Sequence, residues 1–292
     1  MLVVLLLLVP LVGGLFSFFL RGKNAITFAL ATSVATCCMA IWSYLQYSSA
    51  VAFESLSHNI SWIPNIGARF HIALENGDGM AMLMVLLSAI AFPLIFLSLW
   101  NKVPEKAGRF FGLMLLSEVG LLGVFLAKDA LLFYIFWELA LIPVYFLSSL
   151  YGGPKRIAVS FKFFVYTFVG SLIMLIGILL IYRQVPLPSF DWNAFVSVGR
   201  SMPLSEQLWL FWMLFIAFAI KMPIFPLHTW QPDAYEQSHS AVTIVLSAIM
   251  VKMGLFAVVR WLLPIVPLGS HHFMNVVMLL SILGIIYASC LA

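Results

Sequence analysis

Charge is what this sequence most lacks: 15 Lys and Arg with 11 Asp and Glu make up 9% of 292 residues, where soluble domains carry roughly 25%. A water-soluble globule is excluded on that ground. Cysteine is nearly absent. Of the three, Cys37 and Cys38 are adjacent in one apolar stretch and Cys290 is remote. They form no CxxC pair, zinc spacing or disulfide framework and read as inert thiols. The net charge is +4 and the pI near 9.0, yet no basic run exists of the kind that tracks nucleic acid. No GxGxxG, Walker sequence, Ser-His-Asp logic or metal spacing appears. His58, His71, His271 and His272 fall in loops, and His228 and His239 lie near the same membrane end, which argues against haem ligands paired across spans. The chain carries no visible redox or hydrolytic equipment and no cofactor of its own.

What remains is apolar. Hydrophobic residues make up 63% of the chain, with 26 Phe and a mean hydropathy of +1.09. Helices apolar on all sides need lipid as their solvent, so the chain reads as an all-α polytopic membrane protein. Nine segments approach the span length: 1–20, 25–47, 79–100, 110–127, 129–150, 160–182, 207–230, 240–263 and 273–292. They are long uninterrupted runs, not the alternating ten-residue stretches of a barrel. The first has no Lys or Arg before it, unlike a cleavable signal peptide, and reads as a retained span. Arg21, Lys23, Lys102, Lys106, Arg109, Lys155, Arg156 and Lys162 fall on one side of the membrane, and Arg69, Lys128, Arg183, Arg200 and Arg260 on the other. The positive-inside bias then places the N-terminus outside the cytoplasm. Two long connections, 48–78 and 184–206, lie on that outer side and read as ordered caps.

Removing the loop cations leaves Lys221, in FIAFAIKMPIFPL, and Lys252, in LSAIMVKMGLFAV. At a rise of 1.5 Å per residue, Lys221 lies roughly 21 Å from Gln207 and Lys252 roughly 19 Å from His239, too deep to snorkel easily. Glu138, in LLFYIFWELALIPVYF, and Glu118, in LMLLSEVGLLGVF, occupy similar depths. A charge at the bilayer centre costs on the order of 3 kcal/mol or more, so such residues pair, face a wet cavity or carry ions. A structural Glu138–Lys221 ion pair is one reading. For Glu118, a protonated acid that staples helices stands level with a functional role. Pro223 and Pro226 remove the amides that would bond the carbonyls of Ala219 and Met222, so the helix should break beside Lys221. Broken helices inside membranes mark ion sites. Desolvation favours a neutral amine and a nearby carboxylate favours ammonium, so Glu138 would switch Lys221. Moving one proton against about 180 mV costs roughly 4 kcal/mol, the size of a thousandfold change in a lysine's proton affinity. One modulated pair is therefore adequate for one proton. His228, in PLHTW, suits a shuttle or a packing role equally.

The stretches GVFLAKDALLFYIFWELALIPVYFL, FAIKMPIFPLHTWQPDAYEQ and VKMGLFAVVRW resemble the antiporter-like chain M family of bacterial proton-pumping NADH:quinone oxidoreductase, respiratory complex I. The resemblance covers nearly the whole chain and is strongest from Gly108 to Trp261. It implies three N-terminal helices over 1–103, a five-helix antiporter-like repeat over 104–264, and the start of a second, inverted repeat over 265–292 that is truncated at Ala292. By that reading the chain is a fragment. It further implies a relay of Glu138, Lys221 and Lys252 with His228 and, more weakly, Glu118, and proton uptake from the cytoplasm. Flavin (FMN), iron-sulfur clusters and quinone would belong to partner subunits of the membrane complex, in the bacterial cytoplasmic membrane. The chain departs from the family at Gln231, at Tyr235 and at Ser238-His239-Ser240, which puts the start of the eighth helix in doubt. A related large subunit of a multisubunit sodium/proton antiporter is a competing expectation. So is a structural scaffold whose ion pairs only hold helices.

Overall fold

The computed structural model describes residues 1–48, 56–75 and 77–291. Its helices are α1 (Leu2–Ser17), α2 (Gly22–Ser48), α3 (Gly79–Ser98), α4 (Ala107–Leu126), α5 (Ala130–Tyr151), α6 (Arg156–Tyr182), α7 (Trp192–Ser201), α8 (Leu204–Lys221) and α9 (Gln231–Gln237). They are followed by α10 (Ser240–Ile265) and α11 (Pro267–Leu291). By length and composition, eight described helices are able to cross a bilayer. These are α2 to α6, α8, α10 and α11; the expected nine are reduced because α1, apolar as it is, has only 16 residues where a span needs about 20.

With no water in the hydrocarbon layer, buried hydroxyls are satisfied within their own helices. Thr32, Thr36 and Ser43 of α2 donate to the carbonyls of Phe28, Thr32 and Met39 at 2.9, 3.1 and 2.9 Å. The core runs through α4, whose residues are almost all buried, between α1, α2, α3 and α5.

The bundle has two unlike ends. At one, an antiparallel hairpin of β1 (Ser57–Ile63) and β2 (Ala68–Ala73) pairs Ser57 with Ala73 through to Ile63 with Ala68 around a Pro64–Ile66 turn. It is tied to the helices by Ile72 bridging Ala127 and by the Lys128 amide donating to the His71 carbonyl at 2.9 Å. At this hairpin end α3, α5 and α7 each begin under an aspartate cap. Asp78 accepts from Ala81, Asp129 from Leu131 and Leu132, and Asp191 from Asn193, which satisfies free amides and matches the positive helix dipole. At the opposite end α2, α4 and α6 begin beside cations with no acid in the first turn. The two long connections expected as caps thus hold the hairpin and α7, and residues 49–55 and 76 lie outside the described residues.

Candidate functional site

The apolar segment expected over 207–230 stops being helical at Lys221, where the prolines predict a break. The freed carbonyls are not left bare. Met222 and Ile224 donate to Phe218 and Ala219 at 2.8 and 3.0 Å, and the Trp230 indole reaches back to the Ile220 carbonyl at 3.0 Å. The carbonyl of Ala219, expected to be orphaned by Pro223, is therefore recovered one residue further along.

Lys221 is 1% exposed. Its Nζ has no hydrogen-bond partner and no carboxylate within 4.0 Å. It lies 5.7 Å from the ring centroids of Trp137, on α5, and Phe163, on α6. Trp137 precedes Glu138, and the Glu138 carboxylate is the charged group whose field acts on Lys221. Glu138 is half-buried, has an unpartnered Oε1 and stands by the Ser171 hydroxyl. The direct ion pair of the simplest expectation is therefore not formed.

Lys252 lies on α10, which packs against α8. Two wide π turns, Leu246–Met250 and Val258–Leu262, interrupt it, and wide turns of this kind recur at functional sites. Lys252, half-buried, donates to the Ser247 carbonyl at 2.6 Å. The contact with α8 is made by Gly254, where a Cβ would lie 2.7 Å from Met222 Cγ, 2.9 Å from the Phe218 carbonyl and 3.1 Å from Lys221 Cβ. Only a residue without a side chain lets α10 come this close.

His228 follows the break with an unpartnered Nδ1, stacked on Phe225 at 5.6 Å and edge-on to Tyr287 of α11 at 4.9 Å. It faces a groove of about 650 Å³ between the broken segment and α11. Glu118 is completely buried and both its oxygens lack partners; its recorded neighbour is Cys37 of α2, and the structure does not bring it to Lys221. Of the four ionisable groups expected at depth, only Lys221 and Glu118 are fully buried.

Two features escape the sequence reading. Lys162, counted as a loop cation, donates to the Thr229 carbonyl at 2.7 Å and to Asp233 at 2.8 Å, and Tyr166 bonds Thr229 Oγ1 at 2.9 Å. They pin the segment after the break to α6, and their spacing of four on α6 was the available signal. Lys128 and Arg260, also counted among loop cations, form a charge cluster at the hairpin end. Lys128, 2% exposed, lies 2.6 Å from Asp78 and 3.2 Å from Glu75, and Arg260 lies 3.2 and 3.7 Å from the same acids. Arg260 also stacks on Trp192 at 4.1 Å. Beside it His71 Nδ1 lies 3.2 Å from Asp191. Burial pushes Asp191 up, but the His71 contact and the Asn193 amide override it and hold the carboxyl below the ordinary range. The doubtful start of α10 is settled by His239, whose Nδ1 accepts from the Ala241 amide at 3.3 Å. Burial lowers its pKa, in keeping with a neutral acceptor.

Between Lys221 and the hairpin end, Phe133, Phe218 and Trp261 with their aliphatic neighbours line an apolar cavity of about 10 Å³, the scale of a single water.

The family described as NADH:quinone oxidoreductase/Mrp antiporter, TM, matches residues 127–292. The F(420)H(2) dehydrogenase subunit M of Methanosarcina mazei is 36% identical over 99% of this chain and 59% of its own length. The NADH-quinone oxidoreductase subunit M of Rickettsia prowazekii is 33% identical over 97% and 58%. Among solved structures, respiratory complex I from Thermus thermophilus with bound NADH superposes with a TM-score of 0.82 at 29% identity, over 94% of this chain and 56% of that one. The Mrp complex of Dietzia sp. shares the fold, with a TM-score of 0.75 at 21% identity, over 92% and 29%. The chain thus spans a little over half the length of the curated relatives it matches. With its membrane helices, its helix broken at Lys221 and this match over more than half of its residues, the chain belongs to the NADH:quinone oxidoreductase/Mrp antiporter transmembrane family.

Proposed function

We propose that the chain is a proton-translocating subunit of the membrane arm of an NADH:quinone oxidoreductase, in which Glu138 tunes the protonation of Lys221 and Lys252 passes the proton onward. The observation that carries this reading is the state of Lys221: a buried amine with no bonded partner, at the end of a broken helix that packs closely on Gly254 of α10. An amine whose role was to hold helices would be bonded to what it holds. Here its protonation is free to follow the position of Glu138. Protons would arrive from the cytoplasmic side past Lys162, Tyr166 and His228, with the N-terminus on the opposite side. The apolar barrier at Phe133, Phe218 and Trp261 favours onward passage along the membrane plane through Lys252 over direct release at the hairpin end. Flavin, iron-sulfur clusters and quinone would reside in partner subunits.

The Methanosarcina relative is named for F(420)H(2) and the Rickettsia relative for NADH, so the same kind of subunit serves two electron donors. That supports a second reading, membership of an F(420)H(2)-linked complex, with the relay unchanged. Quinone-linked proton pumping by the intact complex after Glu138→Gln and after Lys221→Ala tests the relay. Each variant should assemble and lose pumping, and full pumping in both ends the proposal.

A further inference from the structure

Opposite the hairpin, where α1 ends and α2 and α4 begin, lies an open pocket of about 450 Å³ that the relay does not use. Its wall is of two kinds. Arg21, Lys106 and Arg109 supply three positive charges, and Phe18, Leu20 and Pro104 supply an apolar side. All three cations are exposed, none of them forms an ion pair among the described residues, and Glu105 is the sole acid in the two segments that meet there. The Tyr151 hydroxyl, beside Arg109, donates to the backbone carbonyl of Lys106 at 3.3 Å and offers no charge.

The helices make the imbalance worse. α4 starts at the pocket with no side-chain cap and no acid in its first turn, and α2 starts there with no acid in its first turn. Both present the positive ends of their dipoles to a site already carrying three cations, the reverse of the arrangement that stabilises a helix start. The aspartate caps at the other end of the bundle show that this chain supplies acids to helix starts elsewhere. An anion bound here would supply what these helix starts lack. The pocket sits at the ends of membrane helices, so the anion available there is a lipid phosphate, and the apolar wall suits the first carbons of an acyl chain.

We propose that the pocket formed by Arg21, Lys106 and Arg109 binds the headgroup phosphate of an anionic phospholipid, with Phe18 and Leu20 against its acyl chain. The bound lipid neutralises the starts of α2 and α4 and fixes α1 against α4 from the membrane side.

The test uses the intact complex, delipidated in mild detergent and titrated with phosphatidylglycerol, phosphatidylcholine or inorganic phosphate, with retained lipid counted by native mass spectrometry. Wild type should retain phosphatidylglycerol in preference to phosphatidylcholine. Arg21→Gln, Lys106→Gln and Arg109→Gln should each weaken that retention about fivefold, and the triple variant on the order of a hundredfold. The single variants keep the test decisive if the triple variant fails to assemble. Lys23→Gln/Lys102→Gln removes two cations that do not line the pocket and should leave retention within about twofold of wild type. Unchanged retention in the single variants overturns the site, and an equal loss in the Lys23/Lys102 control reduces it to diffuse attraction and overturns it as well. Binding of inorganic phosphate as tight as that of phosphatidylglycerol would remove the lipid from the assignment.

Discussion

Replacing Lys221 by methionine deletes an amine while keeping a side chain of similar length in the same slot, and the two roles open to Lys221 predict opposite changes in stability. What the amine loses can be read from its surroundings. It makes no hydrogen bond and no ion pair, and its contacts with the rings of Trp137 and Phe163 are at 5.7 Å, near the outer limit of such contacts and worth about 2 kcal/mol in a desolvated setting. Against that stands the cost of an unsatisfied buried polar group, about 1–3 kcal/mol and more if it is charged. The balance for Lys221→Met therefore runs from about 1 kcal/mol against the variant to about 2 kcal/mol in its favour, a melting temperature within a few degrees of wild type. A structural staple predicts the reverse: breaking a buried pair costs about 3–5 kcal/mol, a fall of about 10 °C or more. The assay is thermal unfolding of the assembled, purified complex together with dye-monitored proton uptake into vesicles. The relay requires pumping to be lost with stability held. A fall of about 10 °C with pumping retained in the surviving complex would refute the reasoning.

Gly254→Ala should push α10 off the end of α8, because its Cβ would sit 2.7 Å from Met222 and 2.9 Å from the Phe218 carbonyl; the expected cost is about 1–3 kcal/mol, with slowed pumping, measured as the ratio of pumping to quinone reduction. Asp78→Leu leaves Lys128, at 2% exposure, with Glu75 alone, so thermal stability should drop toward the lower end of about 3–5 kcal/mol. The double variant Asp78→Leu/Lys128→Leu should recover much of the loss. Asp191, held below its ordinary range, contributes stability at neutral pH that disappears as the pH falls through its folded value, below about 4. Exchange protection of the Asn193 amide should fall in that window, and Asp191→Asn should abolish the pH dependence.

The broken helix was legible because proline chemistry is local: Pro223 and Pro226 forbid the regular ladder whatever packs around them. The burial of Lys221 and Glu118 was legible as charges in apolar runs, while Glu138 and Lys252, read in the same way, are only half-buried. What did not show was partnership. Nothing in FAIKMPIF says that Trp230 will cap the Ile220 carbonyl or that Lys221 will lie between two rings, since both contacts cross from other helices. The hairpin-end cluster was missed for a related reason. Lys128 follows an apolar segment as any loop lysine would, and only the fold brings Asp78, 50 residues earlier, to 2.6 Å. Sequence counting treats such a lysine as topological charge. The start of α10 was obscured by a missing proline, a signal for which His239 substitutes by capping with its ring.

Lys128 and Lys221 are a comparison built into one chain. Both are nearly excluded from solvent, at 2% and 1%, so both bear a similar desolvation cost. The first meets that cost with Asp78 and Glu75 at 2.6 and 3.2 Å in a cluster balanced at two cations and two acids, and its charge is fixed by its neighbours. The second has no such compensation. In the proposed relay Glu138 acts on it from beyond bonding distance, so that a small approach or retreat of Glu138 would change which protonation state is favoured. A bonded pair has already spent its Coulomb attraction on a single geometry. An unbonded one keeps two states within a few kcal/mol, and that near-degeneracy is what a group that takes up and releases a proton in each cycle requires.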